Sequence, residues 1–188
     1  MARNVVGIGG TFRPGSSSEM LVRAVLAECA ELGADTAMFD GVALADLPHF
    51  NPEQPHRTAG QRMFVDAVRR ADAMVIGSPG YHGGVSGVVK NAIDLLEDTR
   101  PDGRVYFDAM PVGLIVSAAG WQAGGVTLAA LRGIVHAMRG WPTPIGIAIN
   151  SVEQKPFGPD GTIVDPSVAA QVALQARQIM GFRLEMAA

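Results

Sequence analysis

Apolar runs alternate with amphipathic stretches along almost the whole chain. Short apolar runs bounded by turn-forming residues are typical of buried strands, and they predict five strands, at 5–9, 36–39, 73–77, 112–117 and 145–149. The segments between them repeat apolar residues at helical spacing and predict helices at 19–33, 59–71, 85–96, 126–138 and 168–182. Four further segments are expected to be loops or turns, at 40–58, 79–86, 118–125 and 151–165.

Five strands alternating with five helices predict an α/β fold: a doubly wound five-stranded parallel sheet with helices on both faces. The strands at 73–77 and 112–117 are apolar almost throughout, which indicates burial on both faces. In a strand order of 2-1-3-4-5, the turns after strands one, three and four meet at the carboxyl edge of the sheet, where ligands bind. These turns are rich in Gly, Ser, Pro and Tyr, so we expect the functional site there.

The composition fits one globular domain spanning residues 1–188, with 48% hydrophobic and 18% charged residues. A net charge of −3 provides no basic footprint, so we expect neither nucleic acid nor a membrane as a partner. No apolar run reaches membrane-spanning length, and the short segment before the first strand leaves no room for a signal peptide. The single cysteine, Cys29, cannot form an intrachain disulfide, and we expect a cytoplasmic protein.

The turn after the first strand carries most of the functional information. Residues 9–19 read Gly-Gly-Thr-Phe-Arg-Pro-Gly-Ser-Ser-Ser-Glu and lead into a helix. Backbone N–H groups and hydroxyls in such a turn converge where the helix dipole favours negative charge, which predicts a phosphate site. A capping box formed by Ser16 and Glu19 is the alternative interpretation. Because it leaves Thr11, Arg13, both glycines and the further serines without a role, we favour phosphate binding.

Three common phosphate-binding or phosphate-accepting motifs do not fit this turn. A P-loop requires a Gly-Lys pair, which the chain lacks. The dinucleotide fingerprint requires a third glycine where Phe12 stands. A receiver domain would have carboxylates at the end of strand one, where this chain has Gly9 and Gly10. The turn therefore suits a phosphate monoester held mainly by neutral donors.

The second and third turns suit a flat ligand. Residues 78–84 read Ser-Pro-Gly-Tyr-His-Gly-Gly, in which the glycines allow close approach and Tyr81 and His82 could lie against an aromatic ring. A packing tyrosine and a surface histidine are the alternatives. Residues 117–125 open a helix whose N–H groups would stabilise an anion developing on a flat heterocycle. Trp121 is either a stacking residue or a lid or interface residue.

The other ionisable residues have simpler interpretations. The four histidines are dispersed and lack metal-ligand spacing, so no metal site is expected. Cys29 lies within a predicted helix and is expected in the core. Lys90 and Asp94 are four residues apart on a predicted helix, which favours a surface ion pair. Arg13 is a candidate for a phosphate contact, with a solvated arginine as the alternative.

Two segments of the chain carry a family resemblance. Residues 10–16, Gly-Thr-Phe-Arg-Pro-Gly-Ser, resemble the Gly-Ser-x-Arg-x-x-Ser signature of the NAD(P)H-dependent FMN reductase family, which has a flavodoxin-like fold. Residues 78–94 resemble the same family's Pro-x-Tyr-(Asn/His)-x-(Ser/Gly)-x-(Ser/Pro)-Gly-x-Leu-Lys-Asn-Ala-Ile-Asp segment. The third turn, with Gly-Gly at 124–125 before a predicted helix, also fits.

The resemblance implies a set of FMN-binding residues. Those that would surround the phosphate are Thr11, Arg13, Ser16, Ser17 and Ser18. Those that would border the isoalloxazine ring are Pro79, Gly80, Tyr81, His82, Gly83, Ser117, Ala118, Ala119 and Gly120. Thr11 replaces the usual serine but keeps the hydroxyl, whereas Gly80 lacks the carboxylate of many members. His82 replaces the commoner asparagine and leaves the substrate, more than the cofactor, open.

The resemblance also implies an activity. The expected reaction is hydride transfer from NADPH or NADH to FMN, followed by reduction of a small acceptor such as free flavin, a quinone or an azo compound. Since the cofactor carries this chemistry, no catalytic acid or base is expected from the protein. The alternatives are an electron carrier like flavodoxin and a nucleotide-binding module without redox activity. A homodimer or homotetramer is expected, with Trp121, Trp141 and the 40–58 loop as interface candidates.

Overall fold

A parallel β-sheet forms the centre of the molecule in the computed structural model, which describes residues 2–184. Its parallel strands are β1 (Asn4–Gly9), β2 (Asp35–Phe39), β3 (Ala73–Tyr81), β5 (Pro111–Ala118) and β6 (Trp141–Asn150), and the two-residue strand β4 (Gly84–Val85) pairs antiparallel with β3. The spatial order is β2-β1-β3-β5-β6. Counting the parallel strands alone, this is the predicted order 2-1-3-4-5, so the doubly wound α/β fold is confirmed.

Six α-helices and one 3-10 segment connect the strands within the described residues. The helices are α1 (Ser17–Glu31), α2 (Gly41–Ala45), α3 (Ala59–Arg70), α4 (Gly87–Asp94), α5 (Trp121–Ala137) and α6 (Pro166–Gly181), and the 3-10 segment is Leu95–Thr99. All five predicted helices are present, with ends shifted by up to five residues. In the part of the chain that the structure describes, none of these helices is long and apolar enough to cross a bilayer.

The core lies in two layers, one on each face of the sheet. On one face, α1 and α6 pack their buried apolar side chains against alternate strand residues such as Val75 and Ile115. On the other face, α3, α4 and α5 pack against the intervening residues, including Met74, Ile76 and Leu114. Because successive strand residues point to opposite faces, covering both faces requires the nearly continuous apolar strands seen in the sequence.

One predicted loop contains a helix. The segment 40–58 was expected to be irregular throughout, but Gly41–Ala45 forms α2. The Asp40 carboxylate accepts a hydrogen bond from the Ala43 N–H at 3.0 Å, and Leu44 is buried in the core. A five-residue helix is too short to produce a periodic apolar pattern, and it is stabilised here by its cap and by packing. The prediction was therefore wrong for this segment.

The prediction was also wrong at the starts of α5 and β6. Helix α5 begins at Trp121, whereas the prediction placed its start at 126. The two glycines at 124–125 favour a turn in the sequence, but they lie within the helix. Strand β6 begins at Trp141 rather than 145, and it contains Pro142 and Pro144. Prolines are tolerated there because β6 is an edge strand, so one side of its backbone needs no partner.

The predicted turn at 79–86 is a β-hairpin. Strand β3 continues to Tyr81, and β4 pairs with it through Gly80–Val85 and Tyr81–Gly84. The glycine-rich composition obscured these pairs, since glycine is uncommon in strands. The following helix α4 starts at Gly87 rather than 85, because Val85 is used in the hairpin.

Helices α3 and α6 have their terminal backbone groups satisfied by side chains. At the start of α3, Thr58 and Gln61 form a capping box, with the Gln61 N–H donating to Thr58 Oγ1 at 3.2 Å. At the start of α6, the Asp165 carboxylate accepts from the Ser167 N–H at 2.8 Å. At the carboxyl ends, Arg104 donates to carbonyls of α3, and Arg3 donates to carbonyls at the end of α6. These contacts stabilise both helices through their dipoles and their otherwise unpaired groups.

Candidate functional site

The turns that follow β1, β3, β5 and β6 surround one pocket of about 480 Å³ at the carboxyl edge of the sheet. Its lining residues are Thr11, Arg13, Ser16, Ser17, Ser18, Pro79, Gly80, Tyr81, His82, Ser117, Ala118, Ala119, Ala123 and Ser151. The pocket lies between β1 and β3, at the point where the order in which successive strands are added to the sheet reverses, as the predicted strand order implies.

Twelve of the fourteen predicted site residues line this pocket. The exceptions are Gly83, which forms the tip of the hairpin with a φ of +75°, and Gly120, which precedes α5 with a φ of +121°. Two lining residues, Ala123 and Ser151, were missed. Ala123 gave no chemical signal, but Ser151 follows the last strand at the same edge of the sheet and could have been found from that position.

The first turn is held in shape by local contacts. Gly10 has a φ of +113°, in the region that favours glycine, and Thr11 Oγ1 accepts a hydrogen bond from the Arg13 N–H at 3.0 Å. The start of α2 packs directly on this turn, and a Cβ at Gly41 would overlap the Thr11 carbonyl. Contact with the start of α2 therefore fixes the backbone of the turn, while the Arg13 side chain is exposed.

The N-terminus of α1 has no side-chain cap and faces the pocket. Ser16 is in the N-cap position, but its hydroxyl makes no capping hydrogen bond. The capping box considered as the alternative interpretation does not form, because the Glu19 carboxylate accepts instead from Arg23 Nε at 3.0 Å. Across residues 2–184, the protein supplies no side-chain acceptor to the first-turn amides of α1. A ligand oxygen at this position would satisfy them.

Two serine hydroxyls add to this donor set. Ser16 and Ser18 are 4% and 1% exposed, and their Oγ atoms lie 3.4 Å apart, which is at the limit of a hydrogen bond. Each is thus a buried hydroxyl with only a weak partner in the protein, although buried polar groups are normally well paired. Both hydroxyls can therefore donate to an anion without breaking a strong internal contact.

A glycine in β3 allows α1 to approach the sheet this closely. A Cβ at Gly77 would lie 2.5 Å from Val22 Cγ2 and 2.9 Å from the Ser18 carbonyl oxygen. Real side chains do not tolerate such distances, so any other residue would push the start of α1 away from β3. Gly77 therefore helps to set the position of the Ser18 hydroxyl.

The second turn projects two ring side chains. Tyr81 is 59% exposed, and His82, also exposed, has a φ of +52° in the hairpin. Gly80 lies between them and the third turn, and a Cβ there would be 2.8 Å from Ala118 Cβ and 3.0 Å from Thr127 Oγ1. The close approach of the two turns therefore explains why glycine occupies position 80.

The third turn and the segment after β6 form the remaining wall. Gly120 precedes α5 and provides no side-chain cap, so the N-terminus of α5 is also uncapped at the edge of the pocket. The Ser151 N–H donates to the Ala118 carbonyl at 2.9 Å and joins the two segments. Trp121 does not line the pocket; its Nε1 donates to Glu153 Oε2 at 2.9 Å, and the ring is 52% exposed.

The electrostatic character of the pocket differs from that of the chain as a whole. Among residues 2–184, its ionisable lining residues are Arg13, Tyr81 and His82, and none of the lining residues is a carboxylate. The chain carries a net charge of −3, so acidic residues lie elsewhere on the molecule. An arginine, two uncapped helix N-termini and the absence of lining carboxylates together favour an anionic ligand.

The other candidate residues lie outside this site. Cys29 is fully buried in the core, as predicted, and burial raises the pKa of its thiol to about 11. Lys90 Nζ and Asp94 Oδ1 form the predicted ion pair at 2.7 Å. Within residues 2–184, no cluster of three or more His, Cys, Asp or Glu side chains is arranged to hold a metal ion.

Comparison with known proteins matches most of the chain to one family. The family described as NADPH-dependent FMN reductase matches residues 3–154. An FMN-dependent NADPH-azoreductase of Staphylococcus saprophyticus is 31% identical over 185 residues, covering 93% of this chain and 92% of its own length. A probable NADPH:quinone oxidoreductase 2 of Oryza sativa is 27% identical over 190 residues, covering 98% of this chain and 91% of its own length.

A solved structure supports the fold. FerB, a flavoenzyme NAD(P)H:(acceptor) oxidoreductase from Paracoccus denitrificans, superposes with a TM-score of 0.76 at 22% sequence identity. The match covers 96% of this chain and 98% of that chain. The similarity therefore extends over the whole sheet and both helical layers.

Proposed function

The chain belongs to the NADPH-dependent FMN reductase family and is an NADPH-dependent oxidoreductase that uses FMN, and we propose that FMN binds in the pocket at the carboxyl edge of the sheet. The observation that carries this proposal is the uncapped N-terminus of α1, where buried hydroxyls of Ser16 and Ser18 and free amides face a pocket without carboxylates. These donors fit the phosphate of FMN, which is a doubly charged monoester near neutral pH.

The phosphate would be held by the first turn. Ser16, Ser17 and Ser18 supply hydroxyls, the first turn of α1 supplies amides, and Thr11 and Arg13 line the pocket beside them. Arg13 makes no side-chain hydrogen bond or ion pair within the described residues, so its guanidinium is available to a ligand. Each hydrogen bond to the phosphate would contribute about 1 kcal/mol or more.

The isoalloxazine ring would lie between the second and third turns. Gly80 and Ala118 expose backbone with little side-chain bulk, and Tyr81 and His82 provide ring faces at the edge. When bound, FMN accepts a hydride from the nicotinamide and passes the electrons to a second substrate. The protein orients the ring, excludes water from the covered faces and, through the N-terminus of α5, provides positive potential beside it.

The acceptor is proposed to be a small planar molecule. Relatives over nearly the full length are named as an azoreductase and a quinone oxidoreductase, which supports azo compounds and quinones as substrate classes. Free flavin is the third candidate. The pocket is open enough for Tyr81 to be 59% exposed, so a flat acceptor has access to the site.

Titration and turnover test the proposed function. We expect the purified protein to quench FMN fluorescence on binding and to oxidise NADPH when a quinone or azo dye is added. FMN binding without NADPH oxidation would instead indicate an electron carrier. No FMN binding would overturn the assignment of this pocket.

We further propose a cytoplasmic homodimer or homotetramer. The single buried thiol of Cys29 is compatible with a reducing compartment, which is also where NADPH is available. Trp121 and Trp141 are about half exposed and can contribute to interfaces, but they lie at opposite ends of the strands. A single compact interface would therefore bury one of them, and light scattering of the W121A and W141A variants would identify which.

A further inference from the structure

The overall reaction requires a proton that the nicotinamide does not provide. NADPH gives up one hydride, which is two electrons and one proton. A quinone becomes a hydroquinone by taking two electrons and two protons, so the balanced reaction is NADPH + H⁺ + quinone → NADP⁺ + hydroquinone. The additional proton must reach an acceptor oxygen from the protein or from water. A proton donor in the pocket would assist this step.

The pocket contains few groups able to donate a proton near neutral pH. Its ionisable lining residues are Arg13, Tyr81 and His82. Arginine stays protonated in proteins, and tyrosine releases its proton only near pH 10. Histidine is the residue type that exchanges protons between about pH 5 and 8. His82 is therefore the lining residue whose chemistry matches the missing step.

The backbone of His82 gives a second, independent observation. His82 has a φ of +52° and Gly83 a φ of +75°, and together they join the paired residues Tyr81 and Gly84 in a two-residue hairpin turn. Glycine, asparagine and aspartate are the commonest residues at the first position of such a turn, and histidine is also enriched at positive φ. Among the non-glycine residues that the structure describes with positive φ, His82 alone lines this pocket. The tight turn therefore fixes the backbone that carries His82 at the edge of the pocket.

We propose that His82 donates the second proton to the acceptor, an inference that rests on the proposed function. In this step, an N–H bond of the imidazolium breaks and an O–H bond forms on the acceptor, or an N–H bond in the case of an azo compound. The neutral imidazole then recovers a proton from water, to which His82 is exposed. His82 then acts as the acid for reduction of the acceptor, in place of the expectation that the protein supplies no catalytic acid or base.

The charged groups around the hairpin do not compete for this role. Arg13 shares the pocket lining and stays cationic. On α4, Lys90 and Asp94 are paired with each other. On α5, which packs against β4, Arg132 is the first charged residue and donates to the Pro144 carbonyl far from the N-terminus. Tyr81 is the remaining titratable neighbour.

The variant H82N tests the proposal. Asparagine suits the left-handed turn and keeps polarity, but it cannot release a proton near neutrality. Rates are compared with 1,4-benzoquinone, which needs protons, and with ferricyanide, which takes electrons alone. We expect the quinone-to-ferricyanide rate ratio to fall about 100-fold. In the wild-type protein, we expect the quinone rate to fall relative to the ferricyanide rate as the pH rises, and this difference should be absent in H82N.

A readout without turnover accompanies the kinetics. The imidazole resonance missing from the NMR spectrum of H82N identifies His82, and its chemical shift is followed as FMN is added. We expect the resonance to move as FMN binds, whereas an unchanged resonance would place the imidazole away from the reacting ring and overturn the proposal. The control H136N, at an exposed histidine in the last turn of α5, should keep the wild-type rate ratio.

The outcomes separate this inference from the proposed function. If the wild-type protein neither binds FMN nor oxidises NADPH, the proposed function fails. If it does both and H82N keeps the wild-type rate ratio, only the role of His82 is overturned. Titration of H82N with FMN by fluorescence shows whether a lower rate comes from weaker cofactor binding. If the quinone-to-ferricyanide rate ratio of H82N returns to the wild-type value at saturating FMN, the proposal is also contradicted.

Discussion

The N-termini of α1 and α5, at the pocket, differ from those of α2, α3 and α6, whereas α4, whose start does not line the pocket, also lacks a side-chain cap. Helices α3 and α6 are capped by Thr58 and Asp165, whose side chains accept hydrogen bonds from first-turn amides. Helices α1 and α5, whose N-termini face the pocket, begin at Ser16 and Gly120 without a side-chain cap. A missing cap typically costs about 1 kcal/mol. At α1 and α5 this stability is given up at termini whose amides are available to a ligand in the pocket.

The strongest test converts a pocket terminus into a capped one. In the S16D variant, a carboxylate occupies the N-cap of α1 and makes it resemble α6. We expect FMN affinity to fall at least about 100-fold, or about 2.8 kcal/mol, because the carboxylate competes for the amides and repels the phosphate. FMN fluorescence titration measures the affinity, and urea denaturation of the FMN-free protein measures the free energy of unfolding.

The reciprocal exchange is the control for S16D. D165S replaces aspartate by serine at the N-cap of α6, which is the reverse of S16D. Its FMN affinity should equal that of the wild-type protein. Wild-type affinity in S16D would show that the α1 terminus does not hold the phosphate. A large loss of unfolding free energy in S16D would show that Ser16 has a structural role that the present contacts do not explain.

Removing hydroxyls should have a smaller effect than adding a charge. The double variant S16A/S18A deletes two buried hydroxyls whose only mutual contact is 3.4 Å long. We expect a loss of about 2 kcal/mol in FMN binding, or roughly 30-fold, because two donors to a charged oxygen are removed. The unfolding free energy of the FMN-free protein should change little. S167A, in the first turn of α6, is the matched control and should leave FMN affinity unchanged.

At the capped helix α3, the T58A variant should lower the stability of the protein without changing FMN binding. The variant removes the acceptor of the Gln61 N–H and breaks the capping box of α3. We expect a loss of about 1 kcal/mol in unfolding free energy, corresponding to roughly 2–4 °C in melting temperature. FMN affinity should remain at the wild-type value. A change in affinity without a change in stability would contradict the distinction between the two groups of helices.

The smallest expected effect is the pH dependence of the α6 cap. Hydrogen bonds from Ser167 lower the pKa of Asp165 below its ordinary value of 3.8, so the folded state favours the charged carboxylate. This contribution to stability is present above the unfolded-state pKa and is lost as the pH falls through the lower folded-state pKa. D165N also caps a helix but does not titrate. The stability difference between the wild-type protein and D165N should therefore shrink on acidification, as thermal melts at several acidic pH values would show.

The fold could be predicted because its determinants are local and repeated. Buried strands such as β3 and β5 need apolar residues on both faces, and the long helices bury periodic faces, so both produce clear patterns. Segments stabilised by tertiary contacts were not predicted. Helix α2 depends on one cap and one buried leucine, and the first turn of α5 includes glycines that favour helix only in this packing context.

The candidate site was predicted to a similar extent and for a related reason. Residues with distinctive chemistry, such as the serines of the first turn and Tyr81 and His82, were identified from sequence and line the pocket. Ala123 has no functional group and could not be found without coordinates. The positive φ of His82 and the absence of the alternative Ser16–Glu19 capping box are properties of the folded chain. The Glu19 carboxylate is taken by a competing partner, Arg23.

Much of the proposed phosphate site consists of main-chain amides at the start of α1, set in place by Gly77 beneath them. Alanine scanning does not remove amides and would underestimate their contribution. Replacing single amides by esters through chemical ligation would measure it directly. If these amides hold the phosphate, a substitution that moves the backbone at Gly77 would weaken cofactor binding more than one that only exchanges a side chain on the rim.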